Sequence, residues 1–385
     1  MTIKFAAGAG LAGWLLLAVP GIGIAADAVW PHPDWIVATT QGEGVDVEPL
    51  LDFDRALAAG EHGYVDGLLV IRQGKVVFER SYRHDYAALF ERQDQTRGPY
   101  NYYDPAWHPY YRETDLHTMQ SVSKSVTSAL IGIAIGRGEI PGVDVAVERY
   151  FPDHPAADDD PRRRSMTLRD LLTMTSGIAW DESSVPYTDP RNDCAQMEAS
   201  EDWIRYVRGR PMAAEPGVSF RYNSGVTMLL AHILHQASGL HVTEYAERHL
   251  FRPLGIDEYY WKITPTGLPD AEGGLYLRPR DLAKIGYLYL HDGVWERQRV
   301  LPEGWVGDST APRVDSSVDG WKYGYQWWLL PYDGGYAYTG LGYGGQRLLV
   351  LPDHDVVAVA TGWNIYDKPQ LSAALVLDRV LAAVR

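Results

Sequence analysis

Ser121 and Lys124 stand three residues apart in Met119–Ile135 (MQSVSKSVTSALIGIAI), where an apolar run opens a helix. Residues i and i+3 share a helix face, so the hydroxyl and the amine are placed to touch. A helix start also offers free backbone N–H groups and a positive dipole end. Both favour an oxyanion and disfavour a further positive charge. Lys124 is therefore expected to lose its proton more readily than a surface lysine, with burial and a neighbouring group contributing. Of the seven lysines, only Lys124 has a serine three residues before it. The rival reading is that Ser121 merely caps the helix, and the pair alone does not decide between them.

Two further segments carry residues that could join such chemistry. Phe220–Gly225 (FRYNSG) leads into the apolar run Val226–Leu234. A tyrosine there can relay a proton if its phenol lies within hydrogen-bond reach of the serine and lysine. Packing at a helix entry is the plainer account of Tyr222. Thr339–Pro352 (TGLGYGGQRLLVLP) is a glycine-dense approach to a strand, where a substrate can lie close to the backbone and main-chain N–H groups stay free to donate. It is not a phosphate loop, since no Lys-Ser or Lys-Thr pair follows. The chain has no Gly-x-Ser-x-Gly elbow and no His-Glu-x-x-His. His232, His235 and His241 imitate a metal site but lack an acidic ligand, and a helix-surface pair is the expected reading. The aromatic run Tyr100–Tyr111 (YNYYDPAWHPYY) fits either a lip of the cleft or ordinary loop packing.

Several elements must position these segments. Residues 67–82 (GLLVIRQGKVVFERSY) read as two strands around a Gln73-Gly74 turn. Tyr323–Leu330, Gln346–Leu351 and Val356–Thr361 read as strands and Leu371–Val384 as a closing amphipathic helix. Helical patterns dominate between them, at Val122–Gly136, Leu168–Met174, Val226–Ala237 and Thr243–Leu250. The expected fold is α/β (α+β). One antiparallel sheet is built from both ends of the chain and flanked by helices, with a mainly helical region inserted. Residues 27–114 and 300–385 would form the sheet domain, and 115–299 the helical domain carrying Ser121 and Lys124. The 385 residues carry a net charge of −15, which argues against nucleic acid as a partner. One cysteine, Cys194, excludes an internal disulfide and a multi-thiolate metal site.

Residues 1–26 have the layout of a secretory signal: Lys4, an apolar run from Phe5 to Val19, a Pro20-Gly21 break and small residues at the exit. Cleavage is expected after Ala25, Ala26 or Ala28, with an uncleaved anchor as the alternative. No other stretch is long and apolar enough to cross a membrane, so a periplasmic or secreted protein is expected.

In these segments the sequence resembles the serine β-lactamase and penicillin-binding superfamily, in its class C-like branch. That branch includes family VIII esterases and 6-aminohexanoate-dimer hydrolases. Further matches are LLTMTSGIAWDE (171–182), EYAERHLFRPLGI (244–256), GGLYLRPRDLAKIGYLYLHDG (273–293) and YGYQWW (323–328). The resemblance implies a β-lactamase/transpeptidase-like fold and an amide- or ester-cleaving serine hydrolase without a metal or organic cofactor. Its roles would be a Ser121 nucleophile, a Lys124 base and a Tyr222 proton relay. The backbone N–H groups of Ser121 and Tyr343 would form the oxyanion hole. Ser224, Gly342, Gly344, Gly345 and Gln346 would meet a small-molecule substrate. Ser224 stands where the family's Tyr-x-Asn usually has Asn. The family's basic residue is missing from the third motif, with Arg347 as a stand-in, which disfavours β-lactamase or D-Ala-D-Ala peptidase activity. A penicillin-binding sensor without turnover is the alternative outside catalysis. Substrate identity and oligomeric state are left open.

Overall fold

The computed structural model describes residues 28–38, 43–365 and 371–384. The expected signal segment lies outside the described residues. No described helix is long and apolar enough to cross a membrane.

Nine strands form one sheet. Across it run Ile36–Val37, Lys75–Ser81, Val65–Arg72, Val356–Gly362, Gln346–Leu351, Gly335–Gly342, Trp328–Tyr332, Lys322–Tyr323 and Val314–Asp315. Every pairing is antiparallel except that of Ile36–Val37 with Lys75–Val76. The two ends of the chain meet at the centre, where Val357 pairs with Ile71 and Val359 with Leu69. Gln73 and Gly74 both adopt left-handed backbone, with φ of 50° and 73°, as a two-residue hairpin turn requires.

The central strands read as unbroken apolar runs because both sheet faces are covered. Leu68, Val70, Val356, Ala358 and Ala360 point to one face, against Phe53 of helix Glu48–Ala58 and Val376 and Val380 of helix Ala373–Val384. Leu69, Ile71, Val357 and Val359 point to the other, against Ile285 and Leu288 of helix Pro279–Leu290. Gly286 permits that approach, since a Cβ there would stand 2.8 Å from Val357 Cγ1. Beyond this layer lie helices Val122–Gly136 and Ser224–Ser238, the former buried from Val122 to Ala134 on all sides. A small sheet of His117–Thr118, Tyr260–Trp261 and Leu275–Leu277 adjoins them.

Two expectations about strands need correcting. Tyr323–Leu330 is a hairpin rather than one strand, with Tyr323 paired to Trp328. Gln326 turns left-handed at φ 61°, and its side-chain amide donates to the carbonyls of Leu171 and Leu172, drawing the loop into the helical layer. The glycine-dense Thr339–Gly342 belongs to an eight-residue strand, because its glycines are compatible with extended backbone and serve a close approach described below.

Candidate active site

The Val122–Gly136 helix starts directly beneath the Gly335–Gly342 strand. Gln120 is left-handed at φ 47°, which turns the chain sharply into Ser121. A Cβ on Gly342 would stand 2.5 Å from Met119 O, and one on Gly340 3.0 Å from Val122 Cγ1. Only glycine lets the strand end lie this close to the helix start.

Ser121 does not cap the helix, since its side chain makes no capping hydrogen bond. Lys124 Nζ instead donates to Ser121 Oγ at 2.9 Å. Tyr222 lines the same cleft as Ser121, and Lys124 Nζ stands 5.3 Å from the centre of its ring. Asn223 positions this loop by capping helix Ser224–Ser238, its Oδ1 accepting from Val226 N at 3.2 Å. Hydroxyl, amine and phenol therefore converge as their residue types suggested. Ser121 and Tyr222 open onto a cleft of about 340 Å³ whose other walls include Tyr187, Trp321, Trp328, Leu341, Gly342 and Tyr343, with Lys124 buried behind them.

The electrostatics depart from the expectation for Lys124. Burial pulls its ammonium pKa down, but Glu272, Tyr222 and Glu182 more than reverse this, and the net shift is well upward. The cause is geometric: Nζ donates to both the carbonyl oxygen of Glu272 at 2.8 Å and its carboxylate Oε2 at 2.9 Å. A buried ion pair outweighs the helix dipole. Burial raises the Tyr222 phenol, with Lys124 opposing.

Other residues expected to meet substrate are buried and hydrogen-bonded within the protein. Ser224 is fully buried, its N–H and hydroxyl both donating to Glu182 at 2.8 Å. Glu182 also accepts from Trp180 Nε1 at 2.5 Å and Tyr187 Oη at 3.0 Å. Gln346 is fully buried and ties the turn together, with Nε2 donating to Tyr343 O at 2.6 Å and Oε1 accepting from Gly362 N at 3.1 Å. Gly344 packs against Trp363, and Gly345 takes φ 124°; neither lines the cleft, whereas Gly342 and Tyr343 do. Arg347 does line it, but its guanidinium donates to the carbonyls of Gly342, Gln346 and Leu371, and burial lowers its pKa to about 10. The aromatic run is mostly packing: Tyr111 stacks on Tyr260 and His108 on Trp363. Tyr100, Tyr102 and Tyr103 do line a neighbouring cavity of about 450 Å³ that also touches Tyr187.

Sequence reasoning misses the buried acids. Cys194, Glu198 and Glu272 bring their ligand atoms within 4.8 Å of one another. All three have protein partners. Cys194 Sγ donates to Glu272 Oε1 at 3.5 Å, and Tyr102 Oη donates to Glu198 at 3.1 Å. Thiol and carboxylates thus form a buried polar cluster behind Lys124. Of the three histidines, His232 bonds the Tyr150 carbonyl at 3.0 Å, and His235 stacks on His241.

Comparison with known proteins supplies the family. A family model described as Beta-lactamase matches residues 53–362. The 6-aminohexanoate-dimer hydrolase of Paenarthrobacter ureafaciens is 29% identical over 305 residues, covering 71% of this chain and 76% of its own. Among solved structures, a putative 6-aminohexanoate-dimer hydrolase from Bacillus anthracis superposes with a TM-score of 0.70 at 20% identity, covering 92% of this chain and 89% of the other. A family VIII carboxylesterase gives 0.65 at 13% identity, with coverage of 90% and 98%.

Proposed function

The chain belongs to the β-lactamase family, a serine hydrolase lineage, and from that premise we propose that it cleaves an amide or ester bond through an acyl-enzyme on Ser121. The observation that carries the reading is the 2.9 Å contact of Lys124 Nζ with a Ser121 hydroxyl released from capping.

In this scheme Ser121 Oγ attacks the substrate carbonyl while Lys124 and Tyr222 take up its proton. The backbone N–H groups of Ser121 and Tyr343 receive the oxyanion. Tyr222 and Lys124 return the proton to the leaving amine or alkoxide, and water then releases the acyl group. The scheme requires no metal or organic cofactor. Trp321, Trp328 and Tyr187 give the cleft an aromatic lining, which suits a small apolar acyl chain. The third motif holds no lysine, and the Arg347 guanidinium is engaged by three backbone carbonyls. Both facts favour an amino-acid oligomer or a carboxyl ester over a β-lactam. Export to the periplasm or medium through residues 1–26 is part of the same proposal.

A fluorophosphonate should add mass at Ser121, and Ser121→Ala should abolish turnover of p-nitrophenyl esters and of 6-aminohexanoate dimer. Labelling at another residue, or full turnover by Ser121→Ala, refutes the scheme. Nitrocefin hydrolysis faster than ester hydrolysis refutes the substrate assignment alone.

A further inference from the structure

The scheme leaves a proton unaccounted for. Only a neutral amine can take the Ser121 proton, yet Lys124 Nζ has three acceptors around it, which is the environment of an ammonium. They are Ser121 Oγ at 2.9 Å, Glu272 O at 2.8 Å and Glu272 Oε2 at 2.9 Å. We propose that Glu272 is the proton-accepting partner of Lys124, a positioning residue that frees the amine for attack by taking its proton onto Oε2. This deepens the reading of Ser121 and Lys124 above and rests on it.

The step balances without a co-reactant. A proton passes from Nζ to Glu272 Oε2, leaving a neutral amine and a carboxylic acid. A third of a turn about Cε–Nζ aims the new lone pair at Ser121. As Oγ bonds to the carbonyl carbon, its proton moves to Nζ and the C=O pair moves onto oxygen. When the bond to the leaving group breaks, that group takes a proton from Lys124 by way of Tyr222. Glu272 then hands its proton back to the amine, restoring ammonium and carboxylate.

The surroundings suit a proton that stays local. Lys124 and Glu272 have side-chain exposures of 1% and 6%, so both ends of the exchange are shielded from water. Moving one proton between them changes no net charge, so the exchange stays within the pair, and its cost is the ion-pair attraction that holds the proton on Lys124 at rest. Glu272 Oε1 faces the Cys194 thiol. The backbone N–H groups of Glu272 and Gly273 donate to Asp270 Oδ1 at 3.2 and 3.0 Å, which fixes the turn presenting the carboxylate. The other titratable groups facing the pair are Asp270, Tyr222, Glu182, Glu198 and Lys262, with the phenols of Tyr100, Tyr102, Tyr187 and Tyr323 further out. Burial raises the Glu198 carboxyl well above its ordinary value, assisted by the Glu272 charge.

Because the pair shares one proton, acylation should be level with pH above the Asp270 transition at about 7. Glu272→Gln breaks this: Lys124 must then lose its proton to solvent. The test begins with wild type, where fluorophosphonate labelling of Ser121 and a burst from a p-nitrophenyl ester establish the underlying scheme. Failure at that point refutes the scheme itself. With both in place, Glu272→Gln is expected to acylate about 100-fold more slowly at pH 7, recovering about tenfold per pH unit toward alkaline pH. Glu272→Asp should keep a level profile at a reduced rate, and it carries the test if the amide variant does not fold. A Glu272→Gln rate at pH 7 equal to or above wild type shows that Glu272 only locks the ammonium, and it overturns the proposal. A sloped profile in Glu272→Asp overturns it as well.

Discussion

Gly342→Ala probes how closely the strand end must approach the nucleophile. The added Cβ would lie 2.5 Å from Met119 O and 2.7 Å from Gln346 Cβ, against an ordinary limit of 3.0 to 3.4 Å. About half to nine-tenths of an ångström must be found, and both neighbours are held. Met119 N donates to Leu275 O at 2.8 Å, and Gln346 is fixed at both ends of its amide. The strand end must therefore lift, carrying the adjoining Tyr343 N–H away from the oxyanion position proposed above. Overpacking of this kind costs about 1–3 kcal/mol of stability. A displacement near 1 Å, or loss of one oxyanion donor, costs on the order of 100-fold in kcat. The control is Gly307→Ala, where the Cβ meets nothing within 4 Å and the residue lies in helix Trp305–Ser309. It should be neutral or slightly stabilising. Burst kinetics with a p-nitrophenyl ester and a denaturant titration measure both quantities. A Gly342→Ala enzyme acylating within threefold of wild type would refute the close-approach argument.

Ser224→Ala removes one of four donors to Glu182, and about 1–3 kcal/mol of stability should be lost while KM moves by less than about twofold. A large rise in KM would return Ser224 to the substrate. Asp270 gives a pH effect of definite sign. Burial, then the Glu272 charge, raises its carboxyl to about 7, so between pH 4 and 7 the folded state holds a proton that the unfolded state lacks. Wild type should lose stability relative to Asp270→Asn as pH rises through that window, with a constant difference above it; urea midpoints measure this, and the opposite slope refutes it. Cys194 is buried, and burial raises its thiol well above the ordinary value. It should react with a thiol-specific disulfide reagent only at the global unfolding rate, and rapid native-state labelling would contradict its placement.

The legible parts of the sequence are those set by local rules. Gln73-Gly74 marks a hairpin because few residue pairs accept two left-handed positions. Ser121 and Lys124 are legible because three-residue spacing on a helix is itself a geometric statement. The chain from Tyr323 to Leu330 misleads because its fold-back is driven by Gln326 reaching Leu171 and Leu172, a contact across about 155 residues. Glu182 and Glu272 escape notice because a buried acid and a surface acid are the same letter. Ser224 and Gln346 are buried and hydrogen-bonded to Glu182 and to the Tyr343 turn, contacts that no spacing in the sequence announces. The raised affinity of Lys124 for its proton follows from Glu272, 148 residues away.

The seam between Val65–Arg72 and Val356–Gly362 also bears on how the chain acquires its shape. The early hairpin has no neighbour on its inner edge until nearly three hundred further residues have been made. During synthesis it is an open apolar ribbon of the kind that recruits strangers. Closing a loop of that length is entropically slow, so the last strand acts as a latch. A ribosome-stalled chain ending before Val356 should be protease-sensitive throughout the hairpin, and release of the full chain should protect it.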